Sequence, residues 1–223
     1  MIVTIDGPSG TGKSTVAKLL AKKLCFSFFD TGAMYRASVW WIHHHQIDIE
    51  NVSDLAEKFS QFHLEIQEKE GLKHYLVEGV DITEEIRQKK ITEEVSKISA
   101  LKEVREALLP LQREYAFSHD CVFEGRDLGT VVFPKADVKI FLTANPEVRA
   151  ERRYKELMVK NPRTLLSKEE VLVSLEKRDA QDMNREIAPL KCPEDAFVLD
   201  TSFYEIDQVV DLLLTHVLTK KKL

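Results

Sequence analysis

A chain of 223 residues with 43% hydrophobic and 31% charged side chains can bury one α/β core with small appendages, and it is too apolar for long stretches of disorder. Its formal charge of −5 excludes a surface built to grip nucleic acid through many phosphates, so any phosphate binding has to be local. The cysteines Cys25, Cys121 and Cys192 are far apart and form no CxxC pair. With no signal-peptide pattern and no apolar run of membrane-spanning length, that makes cytoplasm the expected compartment.

Met1 to Asp6 reads as a strand. It runs into Gly7-Pro8-Ser9-Gly10-Thr11-Gly12-Lys13-Ser14-Thr15, which satisfies GxxxxGK(S/T) in full, and Val16 to Leu24 supplies the helix that has to follow. Glycines let backbone N–H groups curl around a phosphate, and the helix start adds partial positive charge. Lys13 is then expected to reach the β and γ phosphates and Ser14 to ligate Mg²⁺. The loop holds a nucleoside triphosphate; what receives its phosphate has to come from the rest of the chain.

Phe26 to Phe29 is a second strand ending in Asp30-Thr31-Gly32, at the carboxyl end where α/β folds place ligands. A helix follows from about Ala33 to His45, with Tyr35 and Arg36 in its first turn. Arginine is unusual at a helix start; a nearby anion and a solvated surface both account for it. His43, His44 and His45 point roughly 100° apart on a helix and cannot converge on one ion, so they read as a polar helix end.

Asn51 to Gln61 fits a short helix with Ser53 as N-cap. His63 to Gln67 then alternates, Glu70-Gly71 marks a turn and Tyr75 to Val77 resumes strand character, a β-hairpin. With Gly79 and the polar run to Lys90 it forms an insertion at about 61–90. Helices at Thr92 to Ala100 and Lys102 to Phe117 come next, the second expected to kink or divide at Pro110.

Cys121 to Phe123 is the third core strand, with Glu124-Gly125-Arg126-Asp127-Leu128-Gly129-Thr130 at its end, and Val138 to Leu142 is the fourth. Asn145-Pro146 opens a helix as N-cap and first residue. That helix presents Arg149, Arg152 and Arg153 on one side, with Glu147, Glu151 and Glu156 close by. A surface ion-pair network is one reading; mobile cations for a transferring γ-phosphate are the other. Asn161-Pro162-Arg163 breaks the helix.

Ser167 and Glu170 form a capping-box signature for a helix running to about Arg185. Val171, Leu175, Arg178, Asp182 and Arg185 fall within about 80° on it, a stripe that starts apolar and turns charged. Such a face either enters a polar cavity or carries an Arg178 to Asp182 ion pair into solvent. Ala196 to Leu199 is the fifth strand and Ile206 to Leu218 the last helix, closed by Lys220, Lys221 and Lys222.

These elements predict a five-stranded parallel sheet with helices on both faces. Arg36, Arg126 and Asp127 are then expected near strand carboxyl ends, on the edge that carries the phosphate loop. That edge has more arginine than one triphosphate needs, so a second, anionic ligand and phosphoryl transfer follow. A GTP-driven switch is disfavoured, because the chain has no NKxD motif and no clear DxxG segment.

The opening Ile-Asp-Gly-Pro-Ser-Gly-Thr-Gly-Lys-Ser-Thr, the run Asp30-Thr31-Gly32-Ala33-Met34-Tyr35-Arg36, and the stretch from Glu124 to Pro134 closely resemble the bacterial cytidylate kinases. The likeness extends over nearly the whole chain, including Arg178 to Arg185, and it implies the nucleoside-monophosphate-kinase type of P-loop fold. It implies transfer of the ATP γ-phosphate to CMP or dCMP; a P-loop kinase for UMP, AMP or a shikimate-like acceptor, or a nucleotide-binding switch module, is the alternative. By the matching motifs, Arg36, Arg126 and Arg178 are expected on the acceptor phosphate, and Ser96, Arg105 and Asp127 on the cytosine edge, with Thr31 and Tyr35 shaping that pocket. Asp182 and Arg185 are expected at the acceptor's sugar and phosphate, and Lys13, Arg126, Arg178 and Asp182 form the expected catalytic set. Residues 7–15 with Arg149, Arg152 and Arg153 are the expected ATP ligands, the arginines lying on a lid at about 146–163. The resemblance makes 61–90 the acceptor-binding insertion and leaves 1–60, 91–145 and 164–223 as core of a single domain. It also implies a monomer acting on small-molecule substrates, without nucleic acid or membrane. Thr31 stands where serine is frequent in that family, keeping the hydroxyl and adding a methyl group.

Overall fold

The structure is a computed structural model that describes residues 1–69, 72–117, 119–160 and 166–221. The chain forms two compact units, one of Met1–Phe29 with Ala116–Leu223 and one of Asp30–Tyr115. The first opens with β1 (Ile2–Asp6), α1 (Lys13–Leu24) and β2 (Ser27–Asp30). The second contains α2 (Thr31–His44), α3 (Val52–Phe59), β3 (Leu64–Lys69), β4 (Leu72–Val77), β5 (Val80–Asp81), α4 (Lys89–Ile98) and α5 (Lys102–Glu114). Returning to the first, the chain forms β6 (Cys121–Glu124), β7 (Val138–Thr143), α6 (Pro146–Lys160), α7 (Lys168–Asn184), β8 (Phe197–Asp200) and α8 (Ile206–Lys221).

The main sheet has the order β2-β6-β1-β7-β8, with β1 parallel to β6 and β7, and β7 parallel to β8. Side chains of β1 alternate between its two faces. Val3 and Ile5 are fully buried against α1 and α8, which supply Val16, Leu20, Val210 and Leu213 to the same core. Thr4 and Asp6 point the other way, beneath a single π-helical turn at Leu128–Val132. There the Leu128 and Gly129 backbone amides donate to the two Asp6 carboxylate oxygens at 3.0 and 2.8 Å. Burial, opposed by these two bonds, pushes Asp6 up to about 6. Asp6 thus fastens the turn that follows β6 to the end of β1, and the turn leaves Arg126 and Asp127 just before it.

The second unit has its own core, built around Trp41, Leu55, Val77, Ile98 and Leu108. Trp41 meets Phe59 and Phe62 edge-on at 5.1 and 5.4 Å between ring centres. β3, β4 and β5 form an antiparallel sheet, with Leu64 opposite Val77 and Lys69 opposite Leu72.

Several expectations change. The N-cap of α3 is Asn51, not Ser53: the Asn51 side chain accepts from the Asp54 amide at 3.2 Å, which leaves Ser53 inside the first turn. Pro110 does not divide α5, because both it and Glu106, whose carbonyl loses its helical donor, are exposed and open to water. α4 begins three residues early, fed by a 3₁₀ turn at Glu85–Arg87. The hairpin gains the strand β5. The antiparallel sheet lies inside the 61–90 window, while the compact unit around it reaches from 30 to 115 because α2, α3, α4 and α5 share its core. The turn at Glu70-Gly71, the break at Asn161-Pro162-Arg163 and Lys222 lie outside the described residues.

Candidate functional site

The loop between β1 and α1 takes its shape from glycines in backbone conformations that other residues rarely adopt. Gly7 has φ +144°, and a Cβ there would lie 2.0 Å from the Leu142 carbonyl oxygen; Gly10 has φ +79° and would meet Arg149 Cβ at 3.0 Å. α1 starts at a left-handed Gly12 with no side-chain cap and no acidic residue in its first turn. Its first amides are therefore available to an anion, with the helix field reinforcing them.

Lys13 is 4% exposed and folds into the loop, donating to the Pro8 carbonyl at 2.6 Å and facing the Thr11 hydroxyl at 3.5 Å. Burial first, then the Arg126 charge, pulls it down to about 7, with Glu124 and Asp179 opposing and Arg178 adding to the fall. A lysine crowded by cations is prepared to receive phosphate oxygens. Ser14 is exposed on the first turn of α1, a hard hydroxyl oxygen of the kind Mg²⁺ accepts alongside nucleotide phosphates, so the donor set fits that ion.

Arg126, at the carboxyl end of β6, connects three parts of this unit. Its Nε donates to Asp182 at 3.1 Å on α7, Nη2 donates to the Ser9 hydroxyl at 3.0 Å, and Nη1 donates to the Gly125 carbonyl at 3.1 Å. Asp127 accepts from Arg185 Nη2 at 2.9 Å, and Arg185 Nε donates to the Ala188 carbonyl at 2.6 Å. Thus Asp182, one end of the ion pair considered for α7, is taken by Arg126 and is buried. The charged half of the stripe does enter a polar interior: Val171 and Leu175 pack against α6, and Asp182 lies among the arginines.

The lid arginines separate. Arg149 is buried and donates from Nη1 to the Ser9 carbonyl at 3.0 Å and to Asp179. Arg152 donates to the Thr201 hydroxyl and carbonyl at 2.9 and 2.7 Å, and the Thr201 hydroxyl in turn donates to the Thr11 carbonyl at 3.2 Å. Arg153 is not brought to the loop: its partner is Glu156 at 2.9 Å, because consecutive residues diverge by about 100° and carry it away from Arg152. One residue escaped the sequence reading. Asp179 accepts from the Ser9 amide at 2.9 Å, and the signal was present in Val171, Leu175 and Asp179, an i, i+4, i+8 series that puts an acid in line with two apolar residues.

In the second unit, Asp30 caps α2 by accepting from the Ala33 amide at 3.0 Å, and its other oxygen holds Arg36 Nη2 at 2.8 Å. That carboxylate accounts for the arginine near the start of α2, which the helix beginning at Thr31 places in the second turn. Thr31 and Tyr35 are buried, and the Arg105 guanidinium lies 5.4 Å from the Tyr35 ring centre while donating to the Ser99 carbonyl at 2.9 Å. Ser96, also buried, sits one turn before on α4. Arg105, Tyr35 and Ser96 are thus all buried polar or aromatic side chains of this unit.

A family model described as Cytidylate kinase matches residues 3–219. A protein of Protochlamydia amoebophila named cytidylate kinase is 50% identical over 218 residues, covering 97% of this chain and 96% of that one. One of Fusobacterium nucleatum with the same name is 43% identical over 213 residues, covering 96% and 95%. Among solved structures, an uncharacterized protein from Eubacterium ventriosum shares the fold with a TM-score of 0.52 at 11% identity, over 98% of each chain.

Proposed function

The chain belongs to the cytidylate kinase family, and from that membership we infer that it transfers the γ-phosphate of ATP to CMP or dCMP, releasing ADP and the pyrimidine nucleoside diphosphate. The observation that carries this reading is the bond from Arg126, an arginine expected on the acceptor phosphate, to Ser9 of the donor's loop. A group that binds the acceptor phosphate is thereby fixed to the structure that binds the donor phosphate. Positioning and charge neutralisation are what such a transfer requires, and the acceptor oxygen is already ionised, so no general base is needed.

The backbone of residues 7–15 cradles the β and γ phosphates, Lys13 neutralises charge on them, and Arg149 and Arg152 reach the same loop directly and through Thr201. The Ser14 hydroxyl would hold Mg²⁺ beside the nucleotide, where the ion would supply further charge neutralisation. Arg36, Arg126 and Arg178 take the acceptor phosphate. Arg105, Ser96 and Asp127 read the cytosine, Asp127 accepting from its amino group and held for this by Arg185, while Thr31 and Tyr35 line the base and Asp182 orients Arg126. Closure of α6 over ATP keeps water from the γ-phosphate. The enzyme works in the cytoplasm as a monomer on small molecules, a setting in keeping with three cysteines that form no disulfide.

Coupled ADP release with CMP, dCMP, UMP, AMP and shikimate as acceptors tests the assignment. Turnover is expected to be fastest with CMP or dCMP; a clear preference for any other acceptor overturns it.

A further inference from the structure

We propose that Asp179 is a positioning residue for phosphoryl transfer, fixing Arg149 against the Ser9 backbone and so holding α6 and α7 to the phosphate loop. The proposal rests on the reading of Arg149 as an ATP ligand.

Asp179 is 5% exposed, and its burial requires that both oxygens be satisfied. One accepts from the Ser9 amide at 2.9 Å and the other from Arg149 Nη1. The same Arg149 nitrogen donates to the Ser9 carbonyl at 3.0 Å. Ser9 is therefore gripped at both of its backbone polar groups, the N–H by a carboxylate from α7 and the carbonyl by a guanidinium from α6. This closes a ring of charge-assisted bonds through the loop that cradles phosphate.

Two further observations separate this ring from an ordinary interhelical ion pair. Lys168 and Glu151 also join α7 to α6, but that pair is open to solvent, with Lys168 exposed and Glu151 only half-buried. Arg149 Nε, in contrast, is buried without a hydrogen-bond acceptor among the described residues. The protein leaves that guanidinium incompletely satisfied, which is the state of a cation whose remaining partner arrives with the substrate. The close approach of α6 is built into the sequence as well, since a Cβ at Gly10 would lie 3.1 Å from the Arg149 carbonyl oxygen, tighter than an ordinary contact. Asp179 touches no reacting atom in this arrangement. It acts by holding the two groups that do: the loop backbone and Arg149.

The test compares Asp179→Asn, Arg149→Lys and the double variant, with ATP and CMP varied separately and with the single-turnover rate measured at saturation of both. That rate does not depend on the fraction of folded enzyme. Asn keeps an acceptor for the Ser9 amide but removes the charge facing Arg149, so a rate loss of about 10- to 100-fold is expected, with the KM for CMP within about twofold of wild type. Because the two residues act as a unit, the double variant is expected to lose little more than the worse single one. An unchanged single-turnover rate in Asp179→Asn beside an impaired Arg149→Lys overturns the proposal alone, as do losses that multiply in the double variant. An Arg149→Lys enzyme with wild-type rate and wild-type KM for ATP overturns the reading of Arg149, and the route by which Asp179 acts falls with it.

Discussion

Asp6 meets two opposing demands beneath the turn at Leu128–Val132. Desolvation of a 1% exposed carboxyl favours its neutral form, while the amides of Leu128 and Gly129 favour the anion; burial prevails and the group titrates near 6. In the unfolded chain the same group titrates at about 3.8. The folded state therefore binds this proton more tightly. The stability that Asp6 contributes is fully present below about 3.8 and is lost as pH rises through about 6. The gap corresponds to about 3 kcal/mol at most. Asp6→Asn, which cannot ionise, is expected to remove this dependence. Urea unfolding from pH 4 to 7 should show wild type losing up to about 3 kcal/mol relative to the variant as pH rises. Parallel curves for the two proteins would show that Asp6 ionises in the native state as it does in the unfolded one.

Elements whose signals are local were legible in the sequence, and those set by packing were not. The capping box of α7 forms as read, Ser167 accepting from the Glu170 amide at 3.1 Å and Glu170 accepting from the Ser167 amide at 2.7 Å, because all its atoms lie within one turn. The phosphate loop is local in the same sense. Asn51 and Ser53 are both good caps, and composition does not choose between them. Asp179 and Asp6 look like ordinary acids until α6 and the turn after β6 cover them. Gly10 and Gly12 allow the packing of α6 to be measured. Both have positive φ, so Ala at either incurs the left-handed penalty of about 1–2 kcal/mol, but only Gly10 also faces Arg149, with nothing within 4 Å of a Cβ at Gly12. Gly10→Ala is thus expected to melt below Gly12→Ala by at least about 2–4 °C, the shift that about 1 kcal/mol produces in a protein of this size. Equal melting temperatures would mean that α6 does not press on the loop in solution.

At the scale of the whole chain, the division into units was the least legible feature. The sequence marks the hairpin as an insertion, but it cannot show that Trp41, Leu55, Ile98 and Leu108, contributed by four different helices, close over that hairpin into a core separate from that of Val3, Ile5, Leu20 and Val210. Non-local contacts of this kind leave no period in the sequence. Both tryptophans, Trp40 and Trp41, lie on α2, so tryptophan fluorescence, excited selectively over tyrosine, reports on the Asp30–Tyr115 unit. Leu55 is fully buried there, and Leu55→Ala is expected to cost about 2–5 kcal/mol through lost burial and the cavity left behind. If each core carries its own cooperativity, fluorescence-monitored unfolding shifts by that amount while the amides of β1, β7 and α8 keep wild-type hydrogen exchange. The same loss of protection in both sets of amides would instead make the molecule one cooperative unit, with the two cores unfolding as a single event.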